Sequence, residues 1–172
     1  SLLYSYNSIS DEWTQIPGAP SGVDYWAAST FMIGSKAYII TFSNHVVSFD
    51  CLTGEWQTLN NFPGIARNKA TSFAINGTGY FGLGYPDSTP FLSDFWKYDP
   101  LNDSWTEISG GFPGLPRYAT AGTAVSNYGF IICGETLEEP LFKNDVWKFN
   151  PITETFEQIE QFPVERNYLS CF

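Results

Sequence analysis

Three arginines stand at matched positions, Arg67, Arg117 and Arg166, each four or five residues after the phenylalanine of a Phe-Pro pair. A guanidinium presents a planar fork of donors that grips a carboxylate through two parallel hydrogen bonds. Arginines repeated in this way could ring a pocket for an acidic ligand, or could tie down a loop carbonyl or a neighbouring acid of the protein itself. At the equivalent place earlier in the chain stands Tyr25, followed by Trp26. That pair suits stacking on a sugar or a peptide, and it suits core packing equally well. Acidic candidates Asp87, Glu135 and Glu138 sit in two segments whose neighbours include Tyr85, Phe91, Leu137 and Phe142.

Most catalytic chemistry lacks its parts. His45 is the one histidine, so a Ser-His or Cys-His pair has no second candidate base, and a copper site would need more than one imidazole. Gly77-Thr78-Gly79 reads as a hairpin turn and not as a phosphate cradle, and no Asp-x-Asp-x-Asp-Gly calcium loop occurs. Cys51, Cys133 and Cys171 are odd in number and widely spaced, with neither metal-ligand spacing nor a disulfide framework. A net charge of −10 and a pI near 4.3 argue against nucleic acid, whose affinity comes from Lys and Arg replacing counterions. No apolar run is long enough to span a membrane. No cofactor, no metal and no catalytic residue is expected in these 172 residues, and the chain is expected not to be an enzyme.

The elements that position these residues are repeats. Trp96-Lys97-Tyr98-Asp99-Pro100 leads to Trp105, then Phe112-Pro113-Gly114 and Arg117. Trp147-Lys148-Phe149-Asn150-Pro151 leads to Phe156, Phe162-Pro163 and Arg166. Upstream, Phe49-Asp50 leads to Trp56, Phe62-Pro63-Gly64 and Arg67, and a further copy opens with Tyr6-Asn7 and Trp13. The anchors Trp13, Trp56, Trp105 and Phe156 are 43, 49 and 51 residues apart, the period of propeller blades. Between them lie apolar runs interrupted by short polar turns, as at Ala74-Ile75-Asn76-Gly77-Thr78-Gly79-Tyr80, which is a hairpin pattern. Each repeat therefore reads as four short strands.

In the Tyr/Phe-Asp/Asn-Pro turn, the Trp that follows it, the Phe-Pro-Gly segment and the trailing Arg, the sequence resembles Kelch repeats of the exported, galactose-oxidase-like sort found in bacterial surface proteins. The resemblance covers essentially the whole chain and implies an all-β Kelch-type β-propeller. It departs at the strand-two end, where the paired glycines appear only as Gly82-Leu83-Gly84 and Cys133-Gly134, so that strand end is expected to be less constrained.

Aligned this way, the chain holds a partial blade over 1–17, blades over about 24–59, 68–108 and 118–159, and a partial blade over 167–172. That fits a segment of a six- or seven-bladed propeller, flanked by other blades of the same ring or, alternatively, by a second copy. Trp56, Trp105, Phe156, Tyr80 and Phe130 are expected to be buried, and Asp87, Glu138 and Glu139 exposed. Length variation gathers in one loop: strand-two aromatic to strand-three start is 9 residues from Tyr38 to Val47, 16 from Tyr80 to Trp96 and 17 from Phe130 to Trp147.

Loops that vary over a constant scaffold are where binding is built. The expected function is a non-catalytic module of an extracellular or cell-surface protein, recognising a protein or glycan through that face. The alternative is a fragment of a mutarotase-like propeller enzyme acting on sugars, its catalytic residues outside the segment. Because blades are stabilised by burying their faces, the isolated 172 residues should be poorly soluble or oligomeric. Measuring the solution mass of this segment expressed alone checks this, and a cooperatively unfolding monomer would contradict it.

Overall fold

The computed structural model describes residues 3–23, 25–87 and 90–169. Leu2, Asp24, Cys171 and the last three residues of the expected 167–172 strand lie outside them. The described residues contain no helix. Among the described residues fourteen strands follow in order: a two-stranded hairpin, β1 (Leu3–Asn7) and β2 (Glu12–Ile16), then three antiparallel sheets of four. The first sheet is β3 (Ser29–Ile33), β4 (Lys36–Ile40), β5 (Val46–Asp50) and β6 (Trp56–Leu59). The second is β7 (Thr71–Ile75), β8 (Thr78–Gly82), β9 (Phe95–Asp99) and β10 (Ser104–Glu107). The third is β11 (Ala121–Val125), β12 (Tyr128–Glu135), β13 (Phe142–Asn150) and β14 (Thr155–Gln158). Within each sheet the spatial order follows the chain, and the first strands β3, β7 and β11 lie side by side. These are propeller blades, with their first strands innermost.

Local chemistry explains the turns. β7 and β8 are joined by Asn76 and Gly77, both at positive φ (51° and 82°), the conformation that matches strand twist in a two-residue hairpin. After each third strand an acid or amide caps the turn. The Asp50, Asp99 and Asn150 side-chain oxygens each accept from the backbone N–H two residues on at 2.9 Å.

Between blades the packing is aromatic. Phe31 of β3 lies over Gly79 of β8, where an added Cβ would stand 2.2 Å from the ring. Phe73 of β7 repeats this over Gly129 of β12 at 2.4 Å. Glycine is required there because the neighbouring blade's ring occupies the side-chain space. Phe62 and Phe112, from the segments entering the second and third sheets, are 2% and 3% exposed. Phe62 meets Phe81, Trp96 and Trp105 edge-on, and Phe112 meets Trp147 and Phe156 in the same way. Each such burial contributes about 1.5–3 kcal/mol.

Tyr80 is buried at 5%, whereas Trp56, Trp105, Phe156 and Phe130 are half-buried. Trp56, Trp105 and Phe156 sit on the outermost strands, where one flank of the ring faces the disc rim. Asp87, Glu138 and Glu139 are exposed.

The strand-two ends overturn the expectation of looseness. Leu83 and Cys133 are fully buried and hold φ of 59° and 60°, followed by Gly84 and Gly134 at 105° and 108°. A non-glycine residue is forced into the left-handed region because the next amide is committed: Gly84 N–H donates to the Arg117 carbonyl at 2.8 Å and Gly134 N–H to that of Arg166 at 2.9 Å.

Of the two roles open to the junction arginines, Arg67 and Arg117 take the internal one. Arg67 is 3% exposed; it grips both oxygens of Asp94 at 2.5 and 2.7 Å and donates to the Ile65 and Leu83 carbonyls. Arg117 does the same with Asp145 at 2.5 and 2.9 Å and with the Leu115 and Cys133 carbonyls. Trp96 and Trp147 donate their indole N–H to the same carboxylates at 2.7 and 2.8 Å. With donors so committed, neither guanidinium is available to an external carboxylate. Burial alone would raise the Asp145 carboxyl, but the hydrogen bonds from Arg117 and Trp147 outweigh it and hold the group below its ordinary value.

Because that folded value is depressed, the stability it contributes is full above the unfolded carboxylate value of about 3.9. It is lost as pH falls below that through the folded value. Arg117→Met should cost roughly 3–5 kcal/mol by stranding a buried carboxylate. It should also flatten the acid limb of stability against pH, read by urea unfolding at several pH values.

Candidate ligand-binding site

The inner strands begin at one face of the disc, the same face that carries the long loops between second and third strands. There a cavity of about 440 Å³ opens along the axis, lined by the starts of β3, β7 and β11 and the segments entering them, with Lys69, Thr71, Thr120 and Tyr168 among its polar groups. Beside it lies a cleft of about 490 Å³ bounded by Lys69, Tyr85, Pro90, Phe91, Tyr118 and Leu137. Lys69 belongs to both.

Its walls are built by the long loops. Tyr85 and Phe91 come from the β8–β9 loop and Tyr118 from the segment entering β11. Their rings pack together, Phe91 on Tyr118 at 4.6 Å and Tyr85 on Phe91 at 5.7 Å. The half-buried Lys69 ammonium lies 5.0 Å from the Tyr118 ring centre and 5.1 Å from that of Tyr168, and donates to the Tyr168 hydroxyl at 2.7 Å. Among the described residues Lys69 forms no ion pair with a carboxylate. Burial, then the Glu135 carboxylate and the Tyr168 hydroxyl, push the Tyr118 phenol well above its ordinary value, so it stays protonated. Asn167 donates to Glu135 at 2.9 Å and fixes that carboxylate.

The sequence candidates scatter around this site. Glu135 is half-buried at its edge. Asp87 is exposed and accepts from Asn68 at 3.3 Å. Glu138 lines a smaller neighbouring hollow of about 160 Å³ with Phe91 and Leu137. Arg166 is exposed and reaches the Glu165 carbonyl at 3.3 Å. Tyr25 packs towards Trp56 at 6.3 Å and donates to the Pro20 carbonyl at 3.4 Å, and Trp26 is 62% exposed; neither lines the two cavities. His45 sits in the short β4–β5 loop beside Ser43. Lys69, Tyr118 and Tyr168 escaped the sequence reading. The signal for them lay one and two residues beyond each junction arginine, at Asn68-Lys69, Tyr118-Ala119 and Asn167-Tyr168, where residue type changes from repeat to repeat.

No family model matches the chain. It is 27% identical over 123 residues to an N-acetylneuraminate epimerase of Pasteurella multocida (strain Pm70), covering 67% of this chain and 31% of that protein. It is 29% identical over 114 residues to the N-acetylneuraminate epimerase of Vibrio cholerae serotype O1 (strain ATCC 39315 / El Tor Inaba N16961), covering 60% and 28%. Among solved structures it superposes on YjhT with a TM-score of 0.74 at 18% identity, over 83% of this chain and 52% of that one.

The fold is a segment of a Kelch-type β-propeller. The chain spans about a third of the length of the curated relatives it matches. The expectation that no enzyme is involved is corrected by these relatives, both of which are named as enzymes. That expectation rested on the shortage of histidine and of familiar nucleophile pairs. Such a test is blind to chemistry run by carboxylates and phenols.

Proposed function

We propose that the chain is part of a sugar-acting propeller enzyme and that the axial mouth around Lys69 binds a sugar acid of the N-acetylneuraminate kind. The observation that carries this is Lys69 itself. In a chain of net charge −10, a half-buried cation without a carboxylate partner among the described residues stands where two cavities meet. Such a group is matched by a ligand carboxylate. The rings of Tyr85, Phe91 and Tyr118 offer apolar faces for a pyranose ring to lie against. The names of the two curated relatives agree with both features, and the non-catalytic recognition reading gives way to this one.

Inverting an anomeric centre takes a proton from the anomeric hydroxyl and gives one to the ring oxygen. The ring C–O bond breaks to a carbonyl and re-forms on its other face, with no other reagent consumed. Glu135, held by Asn167, supplies a carboxylate able to take the proton. The Tyr118 phenol beside it is placed to hydrogen-bond the ring oxygen and to lend it a proton as the ring C–O bond breaks, recovering it on closure. Lys69 orients the acid without entering the proton transfer.

The full chain should accelerate exchange between the anomers of N-acetylneuraminate, followed by magnetisation-transfer NMR. Glu135→Gln should lower kcat by about 10²–10⁴ with little change in KM, and Lys69→Met should chiefly raise KM. If the full chain leaves the exchange rate at its buffer value, the proposal fails.

A further inference from the structure

Four non-glycine residues hold a left-handed backbone at matched places: Ala27 (φ 49°), Lys69 (52°), Ala119 (53°) and Tyr168 (52°). Each stands two residues beyond a junction position, Tyr25, Arg67, Arg117 and Arg166 respectively, and all four line the axial cavity. L residues seldom adopt this conformation, and glycine adopts it freely. It persists where the surroundings over-determine it, and such sites gather where function needs them.

Three of the four are joined by a backbone link between blades. Ala119 N–H donates to the Lys69 carbonyl at 3.0 Å, and Tyr168 N–H donates to the Ala119 carbonyl at 2.9 Å. Ala119 thus accepts from one neighbour and donates to the other, while Lys69 accepts and Tyr168 donates. That link uses no side-chain atom. The scaffold therefore holds the conformation constant while the group turned toward the axis is free to differ: a methyl, an ammonium, a methyl and a phenol.

We propose that these four positions form a specificity ring, in which the identity of the left-handed residue in each blade selects the ligand. Ala27 and Ala119 leave room for the body of the sugar. Lys69 and Tyr168, joined at 2.7 Å, select its anionic group. The ring deepens the sugar-acid reading and rests on it. It differs from the proton-transfer pair Glu135 and Tyr118 in setting which ligand is held, not how fast it reacts.

The test is calorimetric titration of the full chain with N-acetylneuraminate and with its uncharged methyl ester. Wild type should prefer the acid by tenfold or more. Lys69→Met should abolish that preference while changing ester affinity less than threefold. Ala119→Glu should reverse it, and Ala119→Asn, which tolerates the left-handed backbone, should weaken both ligands several-fold with an unchanged unfolding midpoint. The asparagine variant decides the matter if the glutamate one does not fold. Val125→Glu, at the exposed far end of β11, should behave as wild type. Binding that survives in wild type while no ring substitution moves either the acid-to-ester ratio or the affinities overturns the ring and leaves the sugar site standing. The ring is overturned in the same way if Val125→Glu shifts the ratio as much as Ala119→Glu. A wild type that binds neither compound overturns the ring and the sugar-acid reading together.

Discussion

The structure depends on one repeated constraint, the buried arginine–carboxylate pair that pins the segments entering the second and third sheets to the blades they enter. Arg67 with Asp94 and Arg117 with Asp145 are placed alike, each roofed by a phenylalanine and buttressed by an indole N–H on the same carboxylate. A buried ion pair contributes little net stability over an apolar replacement, because desolvation offsets the attraction. Its value here is positional. The guanidinium also binds the carbonyl at the end of strand two, so one side chain fixes three strand ends at once. Everything on the ligand face hangs from those strand ends.

The left-handed residues do not require that ion pair, since Ala27 follows Tyr25 and Tyr168 follows the exposed Arg166. At the junctions the backbone carbonyls of Arg117 and Arg166 receive the Gly84 and Gly134 amides, and the chain turns sharply there. The turn places the second residue after the arginine in the left-handed region and directs it to the axis. The left-handed residues Leu83 and Cys133 and their counterparts Ala119 and Tyr168 are thus two sides of one inter-blade connection. Local rules alone would have placed glycine at these positions. The cooperative hydrogen bonding of neighbouring blades makes other residues acceptable there.

This explains what the sequence disclosed. The three four-stranded blades, their strand order and the long loops between second and third strands were legible because they arise from local signals: a hairpin turn, an Asp-Pro corner, an aromatic every fifty residues or so. The internal role of Arg67 and Arg117 was one of two readings, and only the positions of Asp94 and Asp145 decide between them. The cleft around Lys69 was not legible. Lys69 meets Tyr168 across 99 residues of chain, a contact that exists only once the blades fan around a common axis. Tyr25-Trp26 was open to two readings for a like reason: an aromatic pair near a loop looks alike in sequence whether it faces a ligand or, as Tyr25 does, packs towards Trp56.

Charge completes the picture. Eighteen acidic and eight basic residues share this chain, and the three ion pairs among the described residues take up two arginines and one lysine. The acidic groups at the hairpin tips, Asp50 and Asp99, are held ionised by neighbouring amide N–H groups and sit at the opposite face from the cleft. An anionic ligand approaching such a surface is repelled nearly everywhere. A lysine kept unpaired by carboxylates, boxed by phenols and set at the axial mouth is then the local exception in an unfavourable field. Repulsion from the surrounding surface rejects anions that merely collide with it. On the sugar-acid reading proposed above, only a ligand whose shape lets its carboxylate reach Lys69 would recover the loss, and the acidic surface would then add to the selectivity that the cation confers.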